Sequence, residues 1–244
     1  MYSPTLKKMG PFGLETDQDA IAARRGRAVL LAEELADALF AEAEPGNTHP
    51  PLAALARLHA AGLMTAALPV RLGGLGLGTE PGGHLPLLRV LSALGGSDLA
   101  LGRLYEGHVN ALILIHAYGS PEQRRIAAED AHAGKLFAVW NTGEPTPMRV
   151  GGYNGNLTLH GVKAFATGAA FAQRPIITAE HRGWQMILPR MESARVADAV
   201  QIDRDSWHPL GMESSGSLTI DFSGAGIAAS DLIGQPGDFF REPL

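Results

Sequence analysis

The chain has 244 residues, 20 Lys+Arg against 25 Asp+Glu for a formal net charge of −5, and no cysteine. That length accommodates one or two domains with a buried core, and the lack of thiols excludes a disulfide scaffold, thiolate catalysis, Fe–S clusters and cysteine-ligated zinc. A mildly acidic chain whose basic pairs are no larger than Arg24–Arg25 and Arg124–Arg125 is not expected to bind nucleic acid. Lys7 and Lys8 are followed by no apolar run, so no secretory signal is read at the start.

The first half reads as helices. In residues 16–43, Ile21, Val29, Leu30, Leu35, Leu39 and Phe40 recur among alanines and charges until Pro45-Gly46 stops the run. Residues 51–62 place Leu52, Leu55 and Leu58 on one stripe and end at Gly62, a natural residue for the turn that closes a helix. After a glycine-rich loop, residues 84–95 and 98–118 predict two more helices. The second of these is the most apolar stretch, but Arg103, Glu106, His108 and Asn110 lie inside it. It is therefore expected to be a helix buried in a soluble core rather than a membrane span, in a cytoplasmic protein. Ser120-Pro121-Glu122-Gln123 is a capping box with proline at the first helical position, opening a helix to about Ala133.

The second half reads as strands. Leu136-Phe137-Ala138-Val139-Trp140 is a short apolar run, and Asn156-Leu157-Thr158-Leu159-His160 and Ser217-Leu218-Thr219-Ile220-Asp221-Phe222 alternate. Pro175-Ile176-Ile177-Thr178-Ala179 and Trp184-Gln185-Met186-Ile187-Leu188 complete the set. The expected class is α+β: an N-terminal α-helical bundle over residues 1–134, then an antiparallel β-barrel-like domain over residues 135–244.

Several common signatures fail on context. Gly224-Ala225-Gly226-Ile227-Ala228-Ala229 has dinucleotide-loop spacing, but the turn-rich residues after it leave no helix to face a pyrophosphate. The glycines of residues 72–78 lack the Lys-Ser/Thr ending of a P-loop and are read as a tight turn between helices. No two of the nine histidines have i, i+4 spacing, so no metal site is expected. Ser206-Trp207-His208 and Ser214-Ser215 place hydroxyls beside an imidazole without a nucleophile elbow. Two strand stretches are more informative: Val139-Trp140-Asn141-Thr142-Gly143-Glu144-Pro145, and residues 161–169 with Phe165, Ala166 and Thr167. Each combines a hydroxyl, backbone N–H groups and an aromatic ring, as a flat heteroaromatic cofactor needs. An ordinary strand end with a capping Thr and a core Phe is the alternative.

The order of four segments resembles the acyl-CoA dehydrogenase family. They are Leu68-Pro69-Val70-Arg71-Leu72-Gly73-Gly74-Leu75-Gly76-Leu77-Gly78, Tyr118-Gly119-Ser120-Pro121-Glu122-Gln123-Arg124, the Leu157 to Ala169 hairpin through Gly161, Lys163, Phe165, Thr167 and Gly168, and Trp207 through Gly211, Ser215 and Ser217 to Leu232-Ile233-Gly234. The resemblance implies FAD held between β domain and helices. It assigns Trp140, Asn141, Thr142 and Gly143 to one ring-binding strand end and Phe165, Ala166 and Thr167 to the other. It further implies an acyl-CoA or related small-molecule substrate, and a homo-oligomer or a companion chain that supplies the family's third, helical domain. That domain should begin where this sequence ends at Arg241-Glu242-Pro243-Leu244, so no catalytic base is named.

Thr146-Pro147-Met148-Arg149 replaces the family's glycine-rich thioester segment. Leu104-Tyr105-Glu106-Gly107-His108 is similar to a helix of flavin monooxygenases of the same superfold, which would put His108 at the substrate; a buried, hydrogen-bonded histidine is the alternative. The leading expectation is α,β-dehydrogenation of an acyl thioester with hydride passing to flavin N5. Flavin-dependent monooxygenation and a non-catalytic truncated subunit are the alternatives.

Overall fold

A computed structural model describes residues 18–43, 46, 48–143, 147–153 and 156–241. Glu144, Pro145 and Thr146, which the sequence reading placed beside the first strand end, lie outside the described residues, as do residues 1–17 and 242–244.

Five helices come first. They are α1 (Gln18–Glu42), α2 (Leu52–Ala60), α3 (His84–Ser97), α4 (Leu99–Tyr118) and α5 (Pro121–His132). Their ends are set by local chemistry. Gly62 takes the left-handed conformation after α2, with φ 74°. The Asp98 carboxylate accepts from the Ala100 and Leu101 N–H groups at 2.8 and 3.0 Å and starts α4. Ser120 and Gln123 form the reciprocal capping box of α5. Helix α4 is buried along its length, from Ala100 to Ile115. Gly102 lets it cross α3, since a Cβ there would lie 2.5 Å from the Gly95 Cα.

The strands are β1 (Phe137–Trp140), β2 (Arg149–Tyr153), β3 (Asn156–His160), β4 (Val162–Ala166), β5 (Arg174–Glu180), β6 (Trp184–Ile187), β7 (Gln201–Asp203), β8 (Leu218–Asp221), β9 (Gly226–Ile227) and β10 (Leu232–Ile233), with a short helix, α6 (Ala194–Ala197), between β6 and β7. Seven strands form one sheet along the path β10-β6-β5-β2-β3-β9, with β1 also on β5, and β4-β8-β7 form a second. Most pairings are antiparallel, as expected, but β1 runs parallel to β5 and β2 meets β5 in parallel. A parallel pair needs a long connection. Here the chain leaves β1, builds β2, β3 and β4, and returns as β5.

One hydrophobic cluster runs through both layers, from Val29 and Leu58 through Leu104 and Leu112 to Phe137, Ile176 and Ile220. A buried ion pair, Arg174 Nε to Asp130 Oδ2 at 2.9 Å, ties β5 to α5. After Gly226–Ile227 the chain makes only a short 3-10 turn over Ala229–Asp231, so no α-helix directly follows the Gly224 to Ala229 stretch. No helix among the described residues is long and apolar enough to cross a membrane.

Candidate functional site

Two strand ends meet at the C-terminal edge of β1. Trp140 is 1 % exposed, and its indole N–H donates to the Thr167 carbonyl at 2.9 Å. The Ala164 N–H donates to the Thr142 carbonyl at 3.0 Å, and Gly143 bridges to Lys163. The ends of β1 and β4 are thereby pinned side by side at three points.

Thr167 is 5 % exposed, and its hydroxyl heads a chain of three. Thr167 Oγ1 lies 3.0 Å from Ser217 Oγ, which lies 2.9 Å from Ser215 Oγ, which donates to the Met212 carbonyl at 2.8 Å. The single Ser215 proton is committed to Met212, so Ser217 donates to Ser215 and Thr167 donates to Ser217. Thr167 therefore keeps an acceptor lone pair on Oγ1. Among the described residues, neither the Thr167 N–H nor the Thr142 N–H has a hydrogen-bond acceptor. In a residue as buried as Thr167 an unpaired amide is costly and marks a place where something else supplies the acceptor.

Phe165 is placed by a backbone irregularity. Strict alternation would send Lys163 and Phe165 to the same face. Instead Lys163 is fully buried and Phe165 is 58 % exposed. The β4–β8 register shifts between Lys163 and Ala166, and Phe165 adopts φ 54°, rare for a residue with a Cβ. The bulge turns the ring outward, edge-on to Trp207 with centroids 6.1 Å apart. Ala166 is completely buried, while Asn141 and Thr142 are exposed.

Residues 16–135 match the family model of the acyl-CoA dehydrogenase N-terminal domain. Among solved structures, FMN-bound TdsC from Paenibacillus sp. A11-2 aligns with a TM-score of 0.74 at 22% identity over 88% of this chain and 55% of its own. Butyryl-CoA dehydrogenase from Megasphaera elsdenii aligns with a TM-score of 0.74 at 17% identity over 88% and 60%. The chain belongs to the acyl-CoA dehydrogenase fold family. Its curated relatives in this fold family include a dibenzothiophene monooxygenase from Mycolicibacterium goodii, 27% identical over 199 residues, 73% of this chain and 44% of that protein. Another is the amino sugar nitrososynthase RubN8 from Streptomyces rubradiris, 30% identical over 183 residues, 71% and 43%. The chain spans about half the length of the curated relatives it matches.

Within this acyl-CoA dehydrogenase fold, His108 is not free to meet a substrate. It is fully buried, its Nε2 donates to the Met64 carbonyl at 2.7 Å, and its Nδ1 accepts the Phe137 N–H at 3.1 Å. The ring is neutral, and burial pushes its pKa down to about 4. The arrangement is that of the buried, hydrogen-bonded alternative: the motif residue staples α4 to the turn at Met64 and to the start of β1.

Three residues absent from the sequence-level assignment sit at the strand ends: Ser215 and Ser217 in the hydroxyl chain, and Lys163 beneath Asn141. Ser215, Ser217 and Lys163 all lie in segments that carry the resemblance, the one signal in the sequence that could have found them. The glycine-rich loop of the same resemblance is a closed scaffold. Arg25 Nε donates to Leu75 O at 2.8 Å, its Nη1 donates to Pro81 O at 2.7 Å, and Glu80 accepts the Val70 N–H at 3.1 Å. Among the described residues no cluster of three or more His, Asp or Glu could hold a metal ion.

Proposed function

We propose that the chain is the ring-binding part of a flavin-dependent monooxygenase. The observation that carries this reading is the pair of unaccepted amides, Thr142 N–H and Thr167 N–H, held on adjacent strand ends by the Trp140–Thr167 hydrogen bond. An isoalloxazine ring has carbonyl oxygens and ring nitrogens along one edge, the acceptors that two such donors lack. Thr167 Oγ1, an acceptor beside its own donor N–H, suits a ring edge where donor and acceptor atoms alternate. Asn141 and Gly143 flank the first amide as backbone, and exposed Phe165 offers an apolar face.

When bound, the flavin supplies electron transfer and, once reduced, activation of molecular oxygen. The chain's part is to hold the ring in one orientation and to keep water from its edge. Fixed donors do this with no reorganisation at the moment of reaction.

Monooxygenation is preferred over thioester dehydrogenation because the curated relatives at 25–30% identity are named monooxygenases and nitrososynthases, whereas butyryl-CoA dehydrogenase, at 17%, shares the fold alone. FAD, implied by the sequence resemblance, and FMN, named in the TdsC structure, carry the same ring, so the strand ends suit both. The substrate class proposed is a small heteroaromatic or nitrogen-bearing molecule. The test supplies the protein with FMN or FAD, a flavin reductase and oxygen, and follows dibenzothiophene by chromatography. Oxygenated product that requires both reductase and oxygen is expected. Anaerobic bleaching of the bound flavin by butyryl-CoA, without oxygenated product, would establish the dehydrogenase instead.

A further inference from the structure

Lys163 stands apart from the other charged groups near the strand ends. It is fully buried, and its Nζ donates to the Asn141 carbonyl at 2.8 Å and to Thr178 Oγ1 at 3.2 Å, both neutral. None of the ion pairs among the described residues includes it. Thr178 is itself committed, donating to Asn141 Oδ1 at 2.6 Å. Burial alone pushes the ammonium down to about 8, with no nearby charge to hold it up. Burying an ammonium without an anion costs several kcal/mol, and such a charge persists where a partner offsets it.

The Asn141 carbonyl that receives the Lys163 proton belongs to the same peptide group as the Thr142 N–H. A cation on the oxygen draws electron density through the peptide and leaves its N–H a stronger donor. The positive charge is thereby presented, one peptide removed, at an amide that has no acceptor of its own. The carbonyl that shares a peptide with the second amide, on Thr167, is that of Ala166, and it accepts the neutral Ala169 N–H at 3.0 Å.

We propose that Lys163 is a positioning residue that biases the strand-end site toward the reduced, anionic flavin ring over the oxidised, neutral one. The inference rests on the flavin reading above and adds a preference between redox states that the reading does not require. It acts through the Asn141–Thr142 peptide and through the field of a charge in a low-dielectric setting.

The test compares dissociation constants of oxidised FMN, by fluorescence quenching in air, and of dithionite-reduced FMN, under anaerobic conditions, for the full chain. The wild-type protein is expected to hold the reduced form at least about tenfold more tightly, which places the midpoint potential of bound FMN about 30 mV above that of free FMN. Lys163→Gln removes the charge and keeps a hydrogen-bonding side chain, and Lys163→Met removes both. In each the ratio is expected to fall to within about threefold, with the potential moving negative. Thr178→Val, which removes a neutral partner and leaves the charge, is expected to retain the wild-type ratio.

Equal affinity of the wild-type protein for the two forms overturns the proposal whether or not the variants fold. So does a Lys163→Gln protein that loses affinity for both forms by the same factor, because Lys163 would then be scaffold alone. A wild-type protein that binds neither form overturns the flavin reading itself, a result distinct from equal binding.

Discussion

The glycine-rich loop at residues 68–83 and the paired strand ends at Trp140 and Thr167 both carry the family resemblance, yet they are built in opposite ways. In the loop, buried Arg25 takes up two carbonyls, Glu80 takes up an amide, and Gly74 packs against backbone. At the strand ends the pinning bonds leave two amides without acceptors among the described residues. A motif whose polar groups are satisfied within the chain serves the fold, and a motif that leaves donors open on a rigid frame is suited to a ligand. Mutations should therefore separate the two regions, with the loop governing stability and the strand ends governing ring affinity.

The largest effect is expected at Gly74→Ala. A Cβ there would lie 2.0 Å from the Leu68 carbonyl oxygen and 2.6 Å from that of Thr65, both backbone atoms with nowhere to go. A loss on the order of 4 kcal/mol in urea unfolding is expected. A loss below about 1 kcal/mol would show that the loop tolerates change and would blur the comparison.

Next comes pH. His108 titrates near 6.5 in the unfolded chain and near 4 when folded. Between those values the unfolded state binds a proton that the folded state refuses, so stability present above pH 6.5 is lost as pH falls toward 4. The loss should total on the order of 2–3 kcal/mol. His108→Phe, which cannot titrate, should flatten that part of the stability profile; an unchanged slope would place the titrating group elsewhere.

Arg25→Met should cost about 2 kcal/mol by removing two charged donors from the Leu75 and Pro81 carbonyls, while leaving FMN affinity within about threefold because the strand ends are a separate unit. Trp140→Phe should show the reverse balance. It strands the Thr167 carbonyl at about 1 kcal/mol of stability but weakens FMN binding by about tenfold, read by fluorescence titration. Equal effects of these two variants on affinity would collapse the distinction between scaffold and site.

Much of the helical layer was legible because its signals are local. The Ser120 capping box and Gly62 each declare themselves within a few residues, whereas Leu30, Phe40 and Leu52 of the apolar pattern read in α1 and α2 face solvent. The sheet was less so. Strands β9 and β10 have two residues each, too few to alternate, and Gly151-Gly152 hides β2. The parallel pairing of β1 with β5 depends on residues far apart in sequence.

At the strand ends, Trp140 and Thr167 came from the resemblance, and the structure places them in contact. Lys163 and Phe165 were harder. A bulge with positive φ reverses the alternation that would otherwise tell buried from exposed, so the charged residue lies inside and the aromatic one outside. His108 shows a different limit. A motif suggested a substrate contact, and both ring nitrogens turn out to be held by backbone.

The most direct test of the central claim is amide NMR of the protein carrying nitrogen-labelled threonine, titrated with reduced FMN under anaerobic conditions. If the ring binds between the strand ends, the Thr142 and Thr167 amide signals shift downfield and become protected from exchange, while Thr65 and Thr79 in the helical layer stay in place. Saturation with flavin that leaves the Thr142 and Thr167 signals unmoved would contradict the account.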